Sequence, residues 1–145
     1  MNLTGKWKGE YTYGKGYPKS LVGMTEPFEF NLVDANGVIS GSCVDKLVIE
    51  INGNESYILG TFTDNKISFK KRYKFHSAID ENGNYVMPPN QTSDGVDYVG
   101  KLRKKVFSRE IYFSGEWTIT VHFKDQNNLD QICIFNGTWK MNRVV

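Results

Sequence analysis

The segment Ile111-Tyr112-Phe113-Ser114-Gly115-Glu116-Trp117-Thr118-Ile119-Thr120-Val121-His122-Phe123 decides the fold. Its odd positions are apolar or glycine throughout, and its even positions are mostly polar. A period of two places side chains of one parity on one face of a pleated ribbon, so the segment reads as a half-buried strand. The same alternation recurs in Ile67, Phe69, Lys71, Tyr73 and Phe75, with Ser68, Lys70, Arg72 and Lys74 opposite. It recurs again in Trp7, Gly9, Tyr11, Tyr13, in Phe28, Phe30, Leu32, and in Cys133, Phe135, Gly137, Trp139, Met141. No segment sustains a 3.6-residue period. Alanine occurs only at Ala35 and Ala78, too rarely for a chain with much helix.

Eight strands are predicted, at approximately 4–13, 26–34, 38–46, 56–63, 66–76, 96–107, 110–124 and 130–142. Turn chemistry marks the breaks at Asp34-Ala35-Asn36-Gly37, Asp64-Asn65 and Asn82-Gly83-Asn84. Connections 2–3, 4–5 and 6–7 are short, whereas the longest are Gly14–Thr25 and Ser77–Gly95. In an up-and-down meander successive connections alternate between the two ends. Tight turns therefore gather at one end and long loops drape the other. Antiparallel strands with uniformly one-sided apolar faces close most naturally into a barrel, which also removes exposed edges. The predicted fold is all-β, an eight-stranded antiparallel up-and-down barrel formed by residues 1–145 as one domain. A chain of 145 residues can bury a real core without disulfides or metal.

This strand count and loop rhythm, with the opening Gly5-Lys6-Trp7, resembles the calycin superfamily of lipocalin-like and streptavidin-like barrels. The resemblance implies that Trp7 packs at the closed end against a basic residue late in the chain, for which Arg143 is the candidate. Thr63-Asp64 is followed by Asn65-Lys66, so the lipocalin Thr-Asp-x-aromatic pattern is not reproduced. The ten-stranded fatty-acid-binding relatives fit less well, because Gly14–Thr25 is too short for their helix pair.

Loop rhythm also assigns depth. Tyr11, Tyr13, Phe28, Asp45, Tyr57, Tyr73, Phe75, Tyr98 and Phe135 should face inward near the open rim, Trp117 and Lys71 near mid-depth, and Trp7, Leu32 and Trp139 at the closed end. Tyrosines offer an apolar wall and one O–H that needs a partner when buried. Around a cavity they suit a ring-shaped or amphipathic ligand; otherwise their hydroxyls reach solvent or one another over a filled core. Lys71 is the anomaly, since the pleat aims its amine inward. A buried ammonium needs a partner, and Asp45 lies on the inward parity with Ile39 and Cys43. The economical reading is a Lys71–Asp45 pair within reach of Tyr73 or Tyr98. The pair serves either as the polar anchor of a ligand site or as a satisfied internal pair; a bulge turning Lys71 outward is the third reading. The candidate ligand-binding residues are Tyr11, Tyr13, Asp45, Lys71, Tyr73, Tyr98 and Trp117. The loops 14–25 and 77–95 carry Tyr17, Leu21, Met24, Tyr85, Met87 and Pro88-Pro89, and either act as lids or plug the mouth.

Other chemistries find little footing. His76 and His122 lie on outward parity with no ligand-spaced cluster, so no metal site is expected. No nucleophile elbow, catalytic cysteine signature or phosphate-cradling loop is present, and no catalytic residues or cofactors are assigned. Cys43 and Cys133 read as reduced core residues. With 18 basic and 16 acidic residues, the net charge of +2 creates no global field. No run of ~18 apolar residues spans a membrane. With no secretory signal at its start, the chain reads as cytoplasmic, a removed leader being the alternative. The rival function is an interaction module with a solid core. It would use an outer basic face of Lys70, Arg72, Lys74, Lys101, Arg103 and Lys105 to bind a protein or anionic partner. Nucleic acid is the least supported of these, since outward aromatics are few. Homo-oligomerisation is left open.

Overall fold

The computed structural model describes residues 1–45, 56–73, 78–79, 81–82, 84–86 and 90–145. Eight long strands form a closed barrel: β1 (Gly5–Tyr13), β2 (Thr25–Ala35), β3 (Val38–Asp45), β4 (Ser56–Thr63), β5 (Lys66–Tyr73), β8 (Gln91–Lys104), β9 (Ile111–Lys124) and β10 (Asp130–Arg143). Two-residue strands β6 (Ala78–Ile79) and β7 (Tyr85–Val86) pair with each other between β5 and β8. Every barrel pairing is antiparallel and joins one barrel strand to the next along the chain, β5 pairing with β8 past the β6–β7 hairpin, and β1 closes the ring against β10. The predicted up-and-down barrel is the observed one.

The turn residues behave as their chemistry requires. Asn36 and Gly37 have φ of 53° and 88°, and Asp64 and Asn65 have φ of 53° and 64°. Positive φ at both central positions is what a two-residue hairpin needs to match the right-handed twist of its strands. These turns and the β8–β9 connection gather at one end, beside both chain termini. β1, β3, β5 and β9 end at the other.

The closed half of the barrel is filled with side chains out of reach of solvent. Leu3, Trp7, Phe30, Ile39, Phe113 and Met141 are all inaccessible to solvent. The Trp7 indole N–H donates to the Leu3 carbonyl at 2.9 Å, and the Arg143 guanidinium lies 5.1 Å from the Trp7 ring centroid. Arg143 also donates to the carbonyls of Asn2 and Thr4, tying the first residues of the chain to its last strand. The stacking of Arg143 on Trp7 is the arrangement the resemblance implied. Above it Phe28 stacks on Phe30 at 4.3 Å and Phe69 on Tyr98 at 4.7 Å.

Two features depart from the expected strand plan. β8 starts five residues earlier than the predicted 96. Gly95, at φ 118°, sits where the β8–β9 register slips between Ser93 and Val96, and this bulge resets the alternation that marks a strand. Tyr57 is exposed rather than inward, because Ser56 and Ile58 take the interior parity of β4. Glycine and tryptophan also face each other across β9 and β10. Gly137 lies opposite Trp117, and Gly115 opposite Trp139. A Cβ at Gly137 would stand 1.9 Å from the Thr12 carbonyl and 2.5 Å from the Trp117 ring. Gly137→Ala is therefore expected to cost about 1–3 kcal/mol through overpacking. A urea midpoint indistinguishable from wild type would show that ring and backbone can shift aside.

Candidate functional site

The polar cluster inside the barrel is built by three strand ends. β3 ends at Asp45, β4 begins at Ser56, and β5 ends at Tyr73; Ser56 lies opposite Tyr73 and Ile58 opposite Lys71. Period-two alternation from Ile67 and Phe69 carries Lys71 inward, and alternation from Ile39 and Cys43 does the same for Asp45. Lys71 is 1% exposed and Asp45 2%. Lys71 Nζ donates to Asp45 Oδ2 at 3.0 Å, and the Tyr73 hydroxyl donates to the same oxygen at 2.6 Å. The Cys43 thiol points at it from 3.7 Å. The ammonium also lies 5.5, 5.0 and 5.1 Å from the ring centroids of Tyr11, Tyr73 and Tyr98. A cation caged by three aromatic faces and a carboxylate is stabilised well beyond what either contact gives alone. The inward reading of Lys71 and its pairing with Asp45 are thus both observed, and no bulge turns the lysine outward.

Burial sets the protonation of this cluster. It would pull the Lys71 amine down, but the facing Tyr73, Tyr98 and Asp45 groups outweigh it, and the amine titrates well above its ordinary value. Burial pushes the Tyr98 hydroxyl and the Cys43 thiol each up to about 12, and raises Tyr73 strongly as well. At neutral pH the site holds one ammonium and a set of neutral O–H and S–H donors directed at or around the Asp45 side chain. Such an arrangement can orient a polar group.

Of the seven sequence-assigned residues, Asp45, Lys71, Tyr73, Tyr98 and Tyr11 converge on the amine. Tyr13 and Trp117 form the adjoining wall, with Tyr11 5.5 Å from Tyr13 and 6.2 Å from Trp117. The β1–β2 loop places Tyr17 against this wall, 4.9 Å from Tyr13, 5.9 Å from Trp117 and 4.8 Å from Phe135. Ser56 was not anticipated. It is buried, its hydroxyl donates to the Cys43 carbonyl at 2.7 Å, and it accepts from the Cys43 amide at 3.2 Å. A lone serine at a strand start carries no signal of that bridging role. Phe75, Met87, Pro88 and Pro89 lie outside the described residues.

The outer basic face is less uniform than parity implied. β5 and β8 are neighbours, but their register sets Lys70 opposite Asp97 and Lys66 opposite Lys101. Lys70 Nζ lies 2.7 Å from Asp94 and 3.6 Å from Asp97, and Arg72 lies 3.8 Å from Asp94. Lys105 pairs with Glu110 at 2.7 Å, and Arg103 lines an outer groove with Glu10, Glu116 and Lys140. Lys101 is exposed, and Lys74 lies outside the described residues. Lys70, Arg72 and Lys105 thus each stand beside a carboxylate, whereas Lys101 faces Lys66.

Among the described residues no three His, Cys, Asp or Glu side chains gather to hold a metal ion. No helix there is long and apolar enough to cross a membrane. No protein-family model matches the chain, and a search of curated proteins finds no similar sequence.

Proposed function

We propose that this protein is a non-catalytic, calycin-type barrel that binds a small, partly apolar molecule at its open end. The observation that carries the reading is the position of Tyr17. Its ring fills a cradle of Tyr13, Trp117 and Phe135 at the mouth, within electrostatic reach of Lys71 and Tyr98. A loop side chain seated in an aromatic cradle occupies the place a ligand ring takes when the loop lifts. The aromatic wall supplies burial, and Lys71 with Asp45 and Tyr73 orients a polar substituent. The best-matched occupant is an aromatic ring with a hydroxyl, the shape of the side chain it displaces.

The test uses 2-naphthol, followed by calorimetry and by the Trp117 indole N–H resonance. Tyr17→Ala is expected to bind it with one-to-one stoichiometry and about ten-fold more tightly than wild type, since the self-occupying ring is gone. Lys71→Met combined with Asp45→Leu should keep the fold and lose most of that affinity. Charge reversal at Lys70, Arg72 and Lys101 should leave it unchanged. Absence of saturable binding to a folded Tyr17→Ala barrel would overturn the reading in favour of a solid-core interaction module.

A further inference from the structure

The hairpin tip between β8 and β9 concentrates what the rest of the surface disperses. Lys101, Arg103, Lys104, Lys105 and Arg109 stand against the single acid Glu110 within residues 101–110, a local charge of +4. The whole chain carries only +2, so the remaining residues are net −2. All five basic residues are exposed. At the centre of this cluster Val106 is 77% exposed and Phe107 fully exposed. They occupy the two middle positions of a turn closed by the Ser108 amide on the Lys105 carbonyl at 3.5 Å. Phe107 has φ 66°. A turn with positive φ at its third residue ordinarily takes glycine there, because a side chain is strained in that conformation. Phe107 thus holds a costly backbone geometry and gains no burial within the chain.

We propose that this tip docks the barrel, closed end first, onto an anionic lipid surface. Two adjacent apolar side chains at the apex of a hairpin reach the acyl boundary, while the lysines and arginines behind them stand at headgroup level. A flat cationic patch would suffice for nucleic acid, and a protein partner would call for a groove or a broad apolar face. A narrow apolar wedge ringed by cations suits an interface that yields to insertion. The tip lies at the opposite end of the barrel from the Lys71 cluster, so docking leaves the mouth free, and this inference does not depend on the binding proposal.

The experiment is co-sedimentation of the full chain with phosphatidylcholine vesicles, with and without about a third phosphatidylserine, at roughly 0.1 M salt. Wild type should bind the anionic vesicles at least about ten-fold better than neutral ones and lose that preference in high salt. Phe107→Gly should relieve the turn, so its thermal midpoint should hold or rise while vesicle affinity falls about ten-fold. Phe107→Trp adds one exposed indole to three buried ones, and its emission should move to the blue on anionic vesicles. Equal partitioning of wild type and Phe107→Gly, or no binding to anionic vesicles, would overturn the proposal. So would a wild-type preference for heparin or an oligonucleotide that Phe107→Gly leaves intact, since that places the binding in charge alone.

Discussion

Replacing Lys71 with methionine is expected to destabilise the barrel by about 3–5 kcal/mol, the range for removing one partner of a buried ion pair. Methionine fills nearly the same volume, so the loss is not a cavity effect. It arises because Asp45, 2% exposed, loses the cation 3.0 Å away and must either stay buried as an uncompensated charge or take up a proton. The Tyr73 hydroxyl and Cys43 thiol still point at Oδ2, but neutral donors do not replace an ammonium. Asp45→Leu should cost a similar amount from the other side, leaving an ammonium among the rings of Tyr11, Tyr73 and Tyr98. The double variant should recover much of what each single variant loses, because the apolar pair carries no desolvation penalty. Urea unfolding of the four proteins closes the cycle. Single variants within about 1 kcal/mol of wild type would mean that solvent reaches the pair.

The same cycle separates two roles that the sequence left open. A pair kept only for structure would be replaced at no loss by Met and Leu, and the double variant would behave as wild type in every assay. A pair that orients a ligand would be just as dispensable for folding, yet its replacement would empty the mouth of polar direction. Stability and 2-naphthol affinity therefore part company only under the binding proposal.

Much of this arrangement was legible because pleat parity is a strict rule. Once Ile67 and Phe69 face the core, Lys71 must follow unless a bulge intervenes, and none lies between them. Closure was legible because connection lengths alternate along the chain. Parity fails where the alternation itself is interrupted. Ser56, a polar residue in an interior position, disguised the β4 pattern and turned Tyr57 inward on paper. Gly95 reset β8. Parity also names a face but never a cross-strand partner: the outward lysines of β5 were evident, whereas the register that sets Lys70 opposite Asp97 comes only from the assembled sheet. Tyr17 belongs to a loop, where no period exists to place it.

Alkaline pH is expected to unfold the protein cooperatively, with a midpoint between about pH 11 and 12. Three buried groups hold their protons longer in the fold than in the unfolded chain. Burial lifts Cys43 from 9.0 to about 12 and Tyr98 from 10.0 to about 12. Lys71 is raised well above 10.5, because Tyr73, Tyr98 and Asp45 outweigh the burial that opposes them. The sign is common to all three. Between the unfolded and folded values the unfolded chain has released a proton that the native state still holds, so stability falls as pH rises. Their contribution is complete below about pH 9 and is lost upward from there. At about 1.4 kcal/mol per proton per pH unit, Cys43 and Tyr98 together account for a loss of roughly 4 kcal/mol by pH 11 and roughly 7 by pH 12, and Lys71 adds to it in the same direction. That is comparable to the 5–15 kcal/mol typical of a folded domain. Tyr73, raised in the same direction, steepens the transition. Tryptophan emission should report the unfolding, and the part of the tyrosinate absorbance that a Tyr73→Phe, Tyr98→Phe variant lacks should rise with it rather than before it, because Tyr73 and Tyr98 titrate with the cluster as a unit. Cys43→Ala should remove the part of the slope between pH 9 and 10 while leaving the steeper part above it. A barrel still folded above pH 12, or the Tyr73 and Tyr98 share of the tyrosinate forming ahead of the change in tryptophan emission, would mean that water reaches the cluster in the native state.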